Sequence, residues 1–303
     1  MNPGLFAFDP TLGHFTGTIS TLESQHVPLT LTLQITRHCN LKCIYCSECA
    51  SMPDSSLSTL KSIIDKCRGV GRLIISGGEP MLSPDWPAIL EYCRTRFPYV
   101  ALATNATLID ADDVATIRQY VDYVDVTLDG PRLIHNAIRG GFDKTRVGIQ
   151  RLSVEGGIPV SIVMVVMRQN AEFVEDVVSM ADFLGARKVK LLSPIAKGRG
   201  HNVLDSALSE DETRALHARL KEAKSTRGWK CNISVTLWSQ IGEGHALLVH
   251  PNGDVVASPV WTEPSGVSAI GNILREEMSE IWRKYQFKEN HVRKYLETSM
   301  LTV

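Results

Sequence analysis

Three closely spaced cysteines are the residues of this sequence best suited to metal chemistry. Cys39, Cys43 and Cys46 form a C-x3-C-x2-C pattern just after a short apolar run. Three thiolates on one loop can bind three irons of a [4Fe–4S] cube and leave the fourth iron open to a ligand that is not a cysteine. An open iron indicates chemistry at the cluster.

A structural zinc site is the alternative for the same cysteines. Such a site usually combines C-x2-C with a second ligand pair, and no second pair exists elsewhere in the chain. Cys49 follows Cys46 by three residues, but three ligands and one open iron do not require it. Seven cysteines, four of them within residues 39–49, favour metal ligation in a reducing compartment over a disulfide framework.

A glycine-rich turn follows the second predicted strand, in the segment Ser76-Gly77-Gly78-Glu79-Pro80. Two glycines let the backbone come close to a ligand, and a carboxylate beside them can receive an ammonium group. An ordinary Gly-Gly turn is the alternative when this segment is taken alone.

Polar groups also end the next two predicted strands. Thr104 and Asn105 end the third, and Thr127 and Asp129 end the fourth. Their hydroxyl and carboxylate groups can bind ribose hydroxyls, which need paired donors and acceptors. Helix capping and turn formation explain each residue equally well.

Short apolar runs alternate with amphipathic helical patterns and predict a parallel sheet covered by helices. The pattern is compatible with an open doubly wound sheet or a barrel, and both place active-site residues at the carboxyl ends of strands. The predicted strands are Leu31–Ile35, Leu73–Ile75, Val100–Ala103, Val124–Leu128, Val160–Val166 and Val189–Leu192.

The pattern changes after about residue 205, and Lys197–Gly200 is predicted to be a linker. Asn252-Gly253 between two alternating runs is a strong hairpin signal. The predicted elements are a polar helix starting near Glu210, a strand Ile233–Leu237, a hairpin over residues 246–257 and an amphipathic helix from about Ile273 to Tyr285.

Composition excludes several classes of protein. In 303 residues, 44% are hydrophobic and 21% charged, which is typical of a globular chain. The 32 Lys and Arg residues and the 33 Asp and Glu residues give a net charge of 32 − 33 = −1. No basic field therefore attracts nucleic acid or an anionic membrane. Apolar runs such as Ile162–Met167 fall far short of the ~20 residues of a membrane span. The N-terminus lacks a signal-peptide pattern, so we predict a cytoplasmic protein with no nucleic-acid or membrane partner.

The cysteine motif, with Asn40-Leu41 after its first cysteine and Tyr45 before its third, resembles the radical S-adenosylmethionine (SAM) superfamily. The resemblance runs from about Leu31 to Pro194 because later motifs follow in order. It implies a partial (β/α)6 TIM-like barrel of parallel strands and one [4Fe–4S] cluster. The open iron would bind the amino and carboxylate groups of SAM. Reduction, by a flavodoxin or ferredoxin-type donor, would release methionine and a 5′-deoxyadenosyl radical that abstracts hydrogen from the substrate.

The resemblance also assigns individual residues. It implies that Gly77, Gly78 and Glu79 contact the methionyl end of the cofactor, and that Arg139, in the stretch from His135 to Gly140, reaches its carboxylate. The three cysteines would be the iron ligands. The predicted cofactor-binding residues are Tyr45, Ser76, Gly77, Gly78, Glu79, Thr104, Asn105, Thr127, Asp129, Arg139 and Leu192.

The C-terminal third resembles the SPASM or twitch extension of peptide- and cofactor-modifying radical enzymes, through its hairpin, Ile270–Ile273 and Met278–Trp282. Such extensions carry cysteines for auxiliary clusters, the first just after the hairpin, where this chain has Ser258. Only Cys231 lies beyond residue 200, and one thiol cannot hold a cubane. Cys231 is predicted to be a core residue, with hydrogen donation to a substrate radical as the alternative.

We therefore predict three regions: an N-terminal segment (1–29), a radical SAM barrel (30–200) and a small α+β SPASM-like extension without clusters (201–303). The extension favours a peptide or peptide-derived substrate, and a small molecule such as a tetrapyrrole, a sugar or a nucleoside is the alternative. A scaffold or sensor without catalysis is a third hypothesis. The intact cysteines and Glu79 argue against it, because a protein without catalysis has no chemical reason to keep both. The sequence does not identify the residues that act on the substrate.

Overall fold

The structure is a computed structural model that describes residues 6–9, 14–17, 26–48, 52–195, 197–235, 246–257, 269–285 and 301–303. Cys49 and Ser258 lie outside the described residues. The strands are β1 Phe6–Asp9, β2 His14–Gly17, β3 Thr30–Gln34, β4 Arg72–Ser76, β5 Tyr99–Thr104, β6 Tyr123–Thr127, β7 Val160–Val165, β8 Lys188–Leu192, β9 Asn232–Val235, β10 Ala246–Val249, β11 Asp254–Ala257, β12 Gly271–Asn272 and β13 Leu301–Thr302.

Helices lie between most neighbouring strands of the sheet. The α-helices are α1 Leu57–Lys66, α2 Trp86–Arg94, α3 Ala111–Tyr120, α4 Arg132–Ile138, α5 Phe142–Gln150, α6 Val174–Phe183, α7 Glu210–Arg227 and α8 Met278–Lys284. Short 3-10 turns cover Pro80–Leu82, Ala171–Phe173 and Gly198–Ser206, and a π-helical turn covers Arg151–Glu155.

One mainly parallel sheet forms the body of the protein. Its strand order is β12-β11-β10-β3-β4-β5-β6-β7-β8-β9-β13, and β3 to β8 are parallel neighbours in chain order. In a doubly wound sheet, the order of the strands changes direction at one point of the sheet. Here β3 to β8 follow one another in chain order, so the sheet is a partial barrel that stays open. The six strands predicted from the apolar runs and the α/β class are confirmed.

The outer face of the sheet packs on the helices. Leu31, Leu33, Val189 and Leu191 are 1% exposed or less, while the alternate residues of the same strands face the concave side. The prediction that Cys231 is a core residue is confirmed, since it is 2% exposed, and Cys67, directly after α1, and Cys93, on α2, are fully buried as well.

Residues beyond position 200 extend the same sheet at both sides. β10 pairs with β3, β9 pairs with β8, and β10 and β11 form the predicted antiparallel hairpin. Sheet pairing is thus continuous across the predicted boundary, and the division into separate regions stays a prediction. The predicted C-terminal helix is shorter than expected, because the N–H of Ile273 donates to Gly253 and a turn follows before α8.

The prediction of a linker at 197–200 is wrong. Gly198 begins a 3-10 turn, and the N–H of Arg199 donates to the carbonyl of Cys46 at 2.9 Å. A Cβ on Gly198 would lie 2.6 Å from that same carbonyl oxygen. The glycines at 198 and 200 therefore let this segment pack directly on the cysteine loop, which a sequence pattern typical of flexible turns did not indicate.

Candidate active site

The carboxyl ends of the parallel strands surround a cavity of about 620 Å³. Residues from Thr32 to Arg199 meet on its wall, because parallel strands end at one edge of the sheet. The predicted residues on this wall are Cys39, Cys43, Tyr45, Cys46, Ser76, Gly77, Gly78, Thr104, Asn105, Thr127, Arg139 and Leu192. The two predicted carboxylates, Glu79 and Asp129, are 1% and 0% exposed and lie behind it.

The three cysteines form one wall of the cavity. Cys43 is buried, and burial raises the pKa of its thiol to about 11, while the charge of Arg139 lowers it. Burial likewise raises the pKa of Cys39, whose sulfur accepts a hydrogen bond from the N–H of Leu41 at 3.5 Å. Thiolates are the forms that bind iron, so cluster binding here must release protons.

This donor set fits an iron–sulfur cube. Three thiols converge on a cavity with room for a cluster and a further ligand, and a fixed cation lies beside them. Within the described part of the chain, no three His, Cys, Asp or Glu side chains form a group that could hold a single metal ion.

The Gly77-Gly78 turn packs against the backbone that leads into the cysteine loop. The N–H of Gly78 donates to Thr36 at 2.9 Å, and the N–H of Glu79 donates to His38 at 2.7 Å. A Cβ on Gly78 would lie 2.3 Å from the carbonyl oxygen of His38. Close approach of two backbones therefore requires glycine here, in addition to any approach to a ligand.

The Glu79 carboxylate joins the ends of β4 and β5. It accepts from the hydroxyl of Thr104 at 2.6 Å and from the N–H groups of Asn105 at 2.7 Å and Met81 at 3.2 Å. Burial raises the pKa of Glu79, and these three donors lower it. A carboxylate has about four acceptor positions, so one on Oε2 remains for the predicted ammonium contact.

Asn105 carries this connection to the cysteine loop. Its side-chain amide donates to Oδ1 of Asn40 at 2.8 Å, and the amide of Asn40 donates to the hydroxyl of Thr107 at 2.8 Å. Asn40 follows the first cysteine directly. The chain of hydrogen bonds therefore positions one end of the loop against β5.

Tyr45 connects the other end of the loop to β6. Its hydroxyl donates to Oδ2 of Asp129 at 2.5 Å and accepts from Nη1 of Arg139 at 2.6 Å. Asp129 also accepts from the N–H of Val165 at 2.8 Å. Burial raises the pKa of both Tyr45 and Asp129, so the phenol stays protonated. The Asp129 carboxylate thus positions the Tyr45 hydroxyl, which in turn positions the Arg139 guanidinium.

Arg139 presents an unsatisfied donor near the cavity. Its side chain is 10% exposed, and its Nε has no hydrogen-bond partner among the described residues, lying 3.7 Å from Asp129. Burial alone would lower its pKa, but Tyr45, Cys43 and Asp129 raise it, so the guanidinium stays charged. A buried cation with a free N–H fits the predicted contact to a carboxylate.

Sequence reasoning missed an ion cluster behind the third cysteine. The Glu48 carboxylate lies 3.2 Å from Arg37, forms a close ion pair with Lys197, and lies 3.4 Å from Nε2 of His250 on the hairpin. Burial would raise the pKa of Glu48, but the contact with the His250 imidazole and the charges of Lys197 and Arg37 lower it to about 2. Nε of Arg199 donates to the carbonyl of Cys43 at 2.8 Å. The Gly-Arg-Gly pattern at 198–200 was the available signal.

Fold and site together define an α/β partial-barrel protein with a three-cysteine loop at the carboxyl edge of its sheet. The family model described as the Radical SAM superfamily matches residues 33–183. Mycofactocin maturase MftC of Mycolicibacterium smegmatis is 33% identical over 281 residues, covering 84% of this chain and 70% of that protein. The chain belongs to the radical SAM superfamily of enzymes, and the resemblance seen in its motifs is confirmed.

The names and titles of other similar proteins indicate different products or substrates. Fe-coproporphyrin III synthase of Methanosarcina barkeri is 32% identical over 193 residues, covering 59% of this chain and 47% of that protein. SuiB of Streptococcus suis, solved bound to its precursor peptide SuiA, has the same fold with a TM-score of 0.71 at 16% identity, covering 90% of this chain and 69% of SuiB. This chain spans 47% and 58% of the length of two curated relatives.

No helix in the described ranges is long and apolar enough to cross a bilayer.

Proposed function

We propose that this protein is an active radical SAM enzyme with one [4Fe–4S] cluster, bound by Cys39, Cys43 and Cys46, and that its substrate is a peptide or peptide-derived molecule. The observation that carries the proposal is the shared cavity, in which the three thiols face the Gly77-Gly78 turn and the charged Arg139. A flavodoxin or ferredoxin-type protein is the proposed electron donor.

When bound and reduced, the cluster supplies the electron that splits SAM into methionine and a 5′-deoxyadenosyl radical. The chain's own residues would bind and orient SAM and exclude water from the site. Arg139 would bind the SAM carboxylate, and Glu79 with the glycine turn would bind its ammonium. The polar strand ends at Thr104, Asn105 and Thr127 would bind the ribose, with Tyr45 and Leu192 as walls.

A peptide substrate is supported by the similarity to a mycofactocin maturase and by the fold shared with peptide-bound SuiB. A tetrapyrrole substrate is the second candidate, and the similarity to Fe-coproporphyrin III synthase favours it. The two substrates differ in charge, because a tetrapyrrole carries carboxylates whereas the peptide backbone is neutral.

The test is SAM cleavage without substrate. Anaerobically reconstituted protein with dithionite should slowly convert SAM to 5′-deoxyadenosine and methionine. Replacing Cys39, Cys43 and Cys46 together with Ala should abolish both products, whereas Cys231→Ala, at a buried thiol that does not line the cavity, should keep them. S-adenosylhomocysteine as the only product would indicate methyl transfer and contradict the proposal.

A further inference from the structure

Arg199 makes contact with both ends of the turn between the second and third cysteines. Its backbone N–H donates to the carbonyl of Cys46 at 2.9 Å, and its Nε donates to the carbonyl of Cys43 at 2.8 Å. The turn itself is closed by a longer bond, from the N–H of Cys46 to the carbonyl of Cys43 at 3.3 Å. One residue of a distant segment therefore fixes the C-x2-C turn.

Two glycines allow Arg199 to reach this position. A Cβ on Gly200 would lie 2.1 Å from the carbonyl oxygen of Ile195 and 3.3 Å from that of Tyr45. Gly198 has a φ of +57°, a conformation that L side chains rarely adopt, and it also packs on the Cys46 carbonyl. The backbone on either side of Arg199 is thus held against the cysteine loop.

The guanidinium of Arg199 brings a positive charge to the cavity wall. Arg199 is partly buried and lines the cavity together with the three cysteines. Arg37 and Lys197 lie nearby, but both contact the Glu48 carboxylate, which balances their charge. Arg199 forms no such ion pair with a residue that the structure describes, and its Nε contact keeps the charge beside Cys43.

A fixed charge at this place acts on the reduction of an iron–sulfur cluster. Reduction adds one negative charge, and the potential of a cluster depends on net charge, hydrogen bonds and solvent exposure. A neighbouring cation attracts the reduced form more strongly than the oxidised form. The backbone contact to Cys46 needs no particular side chain, so it does not account for an arginine at position 199.

Resting on the proposed function, we propose that Arg199 is a positioning residue that fixes the Cys43–Cys46 turn and makes the bound cluster easier to reduce. The step concerned is the electron transfer that precedes SAM cleavage. One electron leaves the donor protein, which is oxidised, and enters the cluster, which is reduced. The guanidinium stabilises the added charge without taking part in bond breaking.

The experiment is an anaerobic redox titration of reconstituted protein without SAM, followed by electron paramagnetic resonance. We expect Arg199→Gln to lower the equilibrium constant for one-electron reduction about tenfold, which makes the potential about 59 mV more negative. Arg199→Lys keeps the positive charge, so its equilibrium constant should stay within about threefold of the parent value. Iron analysis of each sample shows how much cluster is present.

The matched control is Arg151→Gln. Nη1 of Arg151 donates to the carbonyl of Ile109 at 2.6 Å, and Arg151 does not line the cavity. The variant removes a contact of the same kind, from a partly buried arginine to a backbone carbonyl, so potential and iron content should equal those of the parent.

An unchanged potential in Arg199→Gln, or an equal shift in Arg199→Lys or Arg151→Gln, would overturn the proposal. Iron loss in Arg199→Gln that Arg199→Lys does not share would support a role of the charge at the cluster. Iron loss in both would show that Arg199 only supports the fold of the loop, and would overturn it.

SAM cleavage is measured in the same samples. Parent protein that holds a reducible cluster and never cleaves SAM refutes the proposed function, while the titration still decides the role of Arg199. Parent protein that cleaves SAM and shows no shift in Arg199→Gln refutes the role of Arg199 alone. Parent protein that binds no cluster refutes both.

Discussion

Single hydroxyl and carboxylate groups in this site hold other residues in place. Asp129 has no exposed surface, and it acts on the cavity through the Tyr45 hydroxyl, which in turn contacts Arg139. Glu79 similarly connects two strand ends. Because hydrogen bonds to charged groups contribute roughly 1.5–3 kcal/mol, removing one such atom should change cofactor binding measurably.

We predict that Tyr45→Phe raises the dissociation constant for SAM about tenfold with iron content preserved, because Arg139 loses the acceptor that orients it. Isothermal titration of the reconstituted protein measures this. Tyr92→Phe is the control, since the Tyr92 hydroxyl donates to Asp65 at 2.7 Å beside Arg96, a similar arrangement away from the cavity. Equal SAM affinity in Tyr45→Phe and the parent would refute the positioning role of the hydroxyl.

Glu79→Gln should keep its iron and visible absorption while the dissociation constant for SAM rises about ten- to a hundredfold, since the charge-assisted contact to the ammonium is lost. The melting temperature should fall as well. The side-chain NH2 group of the new glutamine would face groups that donate hydrogen bonds to Glu79 in the parent protein. Glu91→Gln on the exposed side of α2 is the control. Loss of iron with unchanged SAM affinity in the remaining holoprotein would show that the carboxylate supports only the cluster loop.

At the scale of elements, turns at neighbouring strand ends depend on one another. The turn after β4 lies against the backbone after β3, and the segment after β8 lies against the three-cysteine loop. Contacts between backbones cannot be relieved by rotating a side chain. Substitution of glycine at such contacts should therefore affect the cluster as well as stability.

We predict that Gly78→Ala destabilises the protein by about 1–3 kcal/mol and lowers its iron content, because its Cβ would displace His38 next to the first cysteine. Thermal unfolding and iron analysis measure the two effects. Gly157→Ala is the control: its φ of +63° strains any side chain, yet apart from its chain neighbours no described residue has an atom within 4 Å of the added Cβ, so the variant should lose stability and retain iron. Full iron content in Gly78→Ala would contradict the proposed dependence.

At the scale of the whole molecule, the C-terminal third supports the cluster loop without being predicted to carry clusters of its own. Its hairpin places His250 next to Glu48, and Ser55 donates to the carbonyl of Pro251 at 2.6 Å. β10 also extends the barrel sheet beside β3. These contacts join the C-terminal third to the segment around the cysteine loop, and none of them involves a cysteine of the C-terminal third.

Iron analysis tests this arrangement. Anaerobically reconstituted protein should bind about four irons and about four sulfides per chain, because one three-cysteine motif ligates one cube. The triple Ala variant of Cys39, Cys43 and Cys46 should bind almost none. About eight irons in the parent protein would contradict the single-cluster proposal for the C-terminal third.

Much of the fold and the cavity wall was predictable because the signals are local. Apolar runs predicted all six core strands, and the strand-end motifs together with the family resemblance identified twelve residues that line the cavity. The missed residues, among them Glu48, Lys197 and His250, are ordinary polar side chains outside helices and strands. Apart from the Gly-Arg-Gly pattern at 198–200, nothing in their sequence neighbourhood indicates that they meet, because they come from three distant segments.

The sequence by itself determined the chemistry, since thiol spacing on one loop decides which metal group can be bound, and a strand pattern decides that such loops gather at one edge. Only the tertiary structure decided what each polar group does there. Burial and the nearest donor set the role of a carboxylate, and both depend on contacts between segments far apart in the chain. For this reason Asp129 lies behind Tyr45, residues 197–200 pack on the cysteine loop, and Asp125 meets Lys190 inside the barrel.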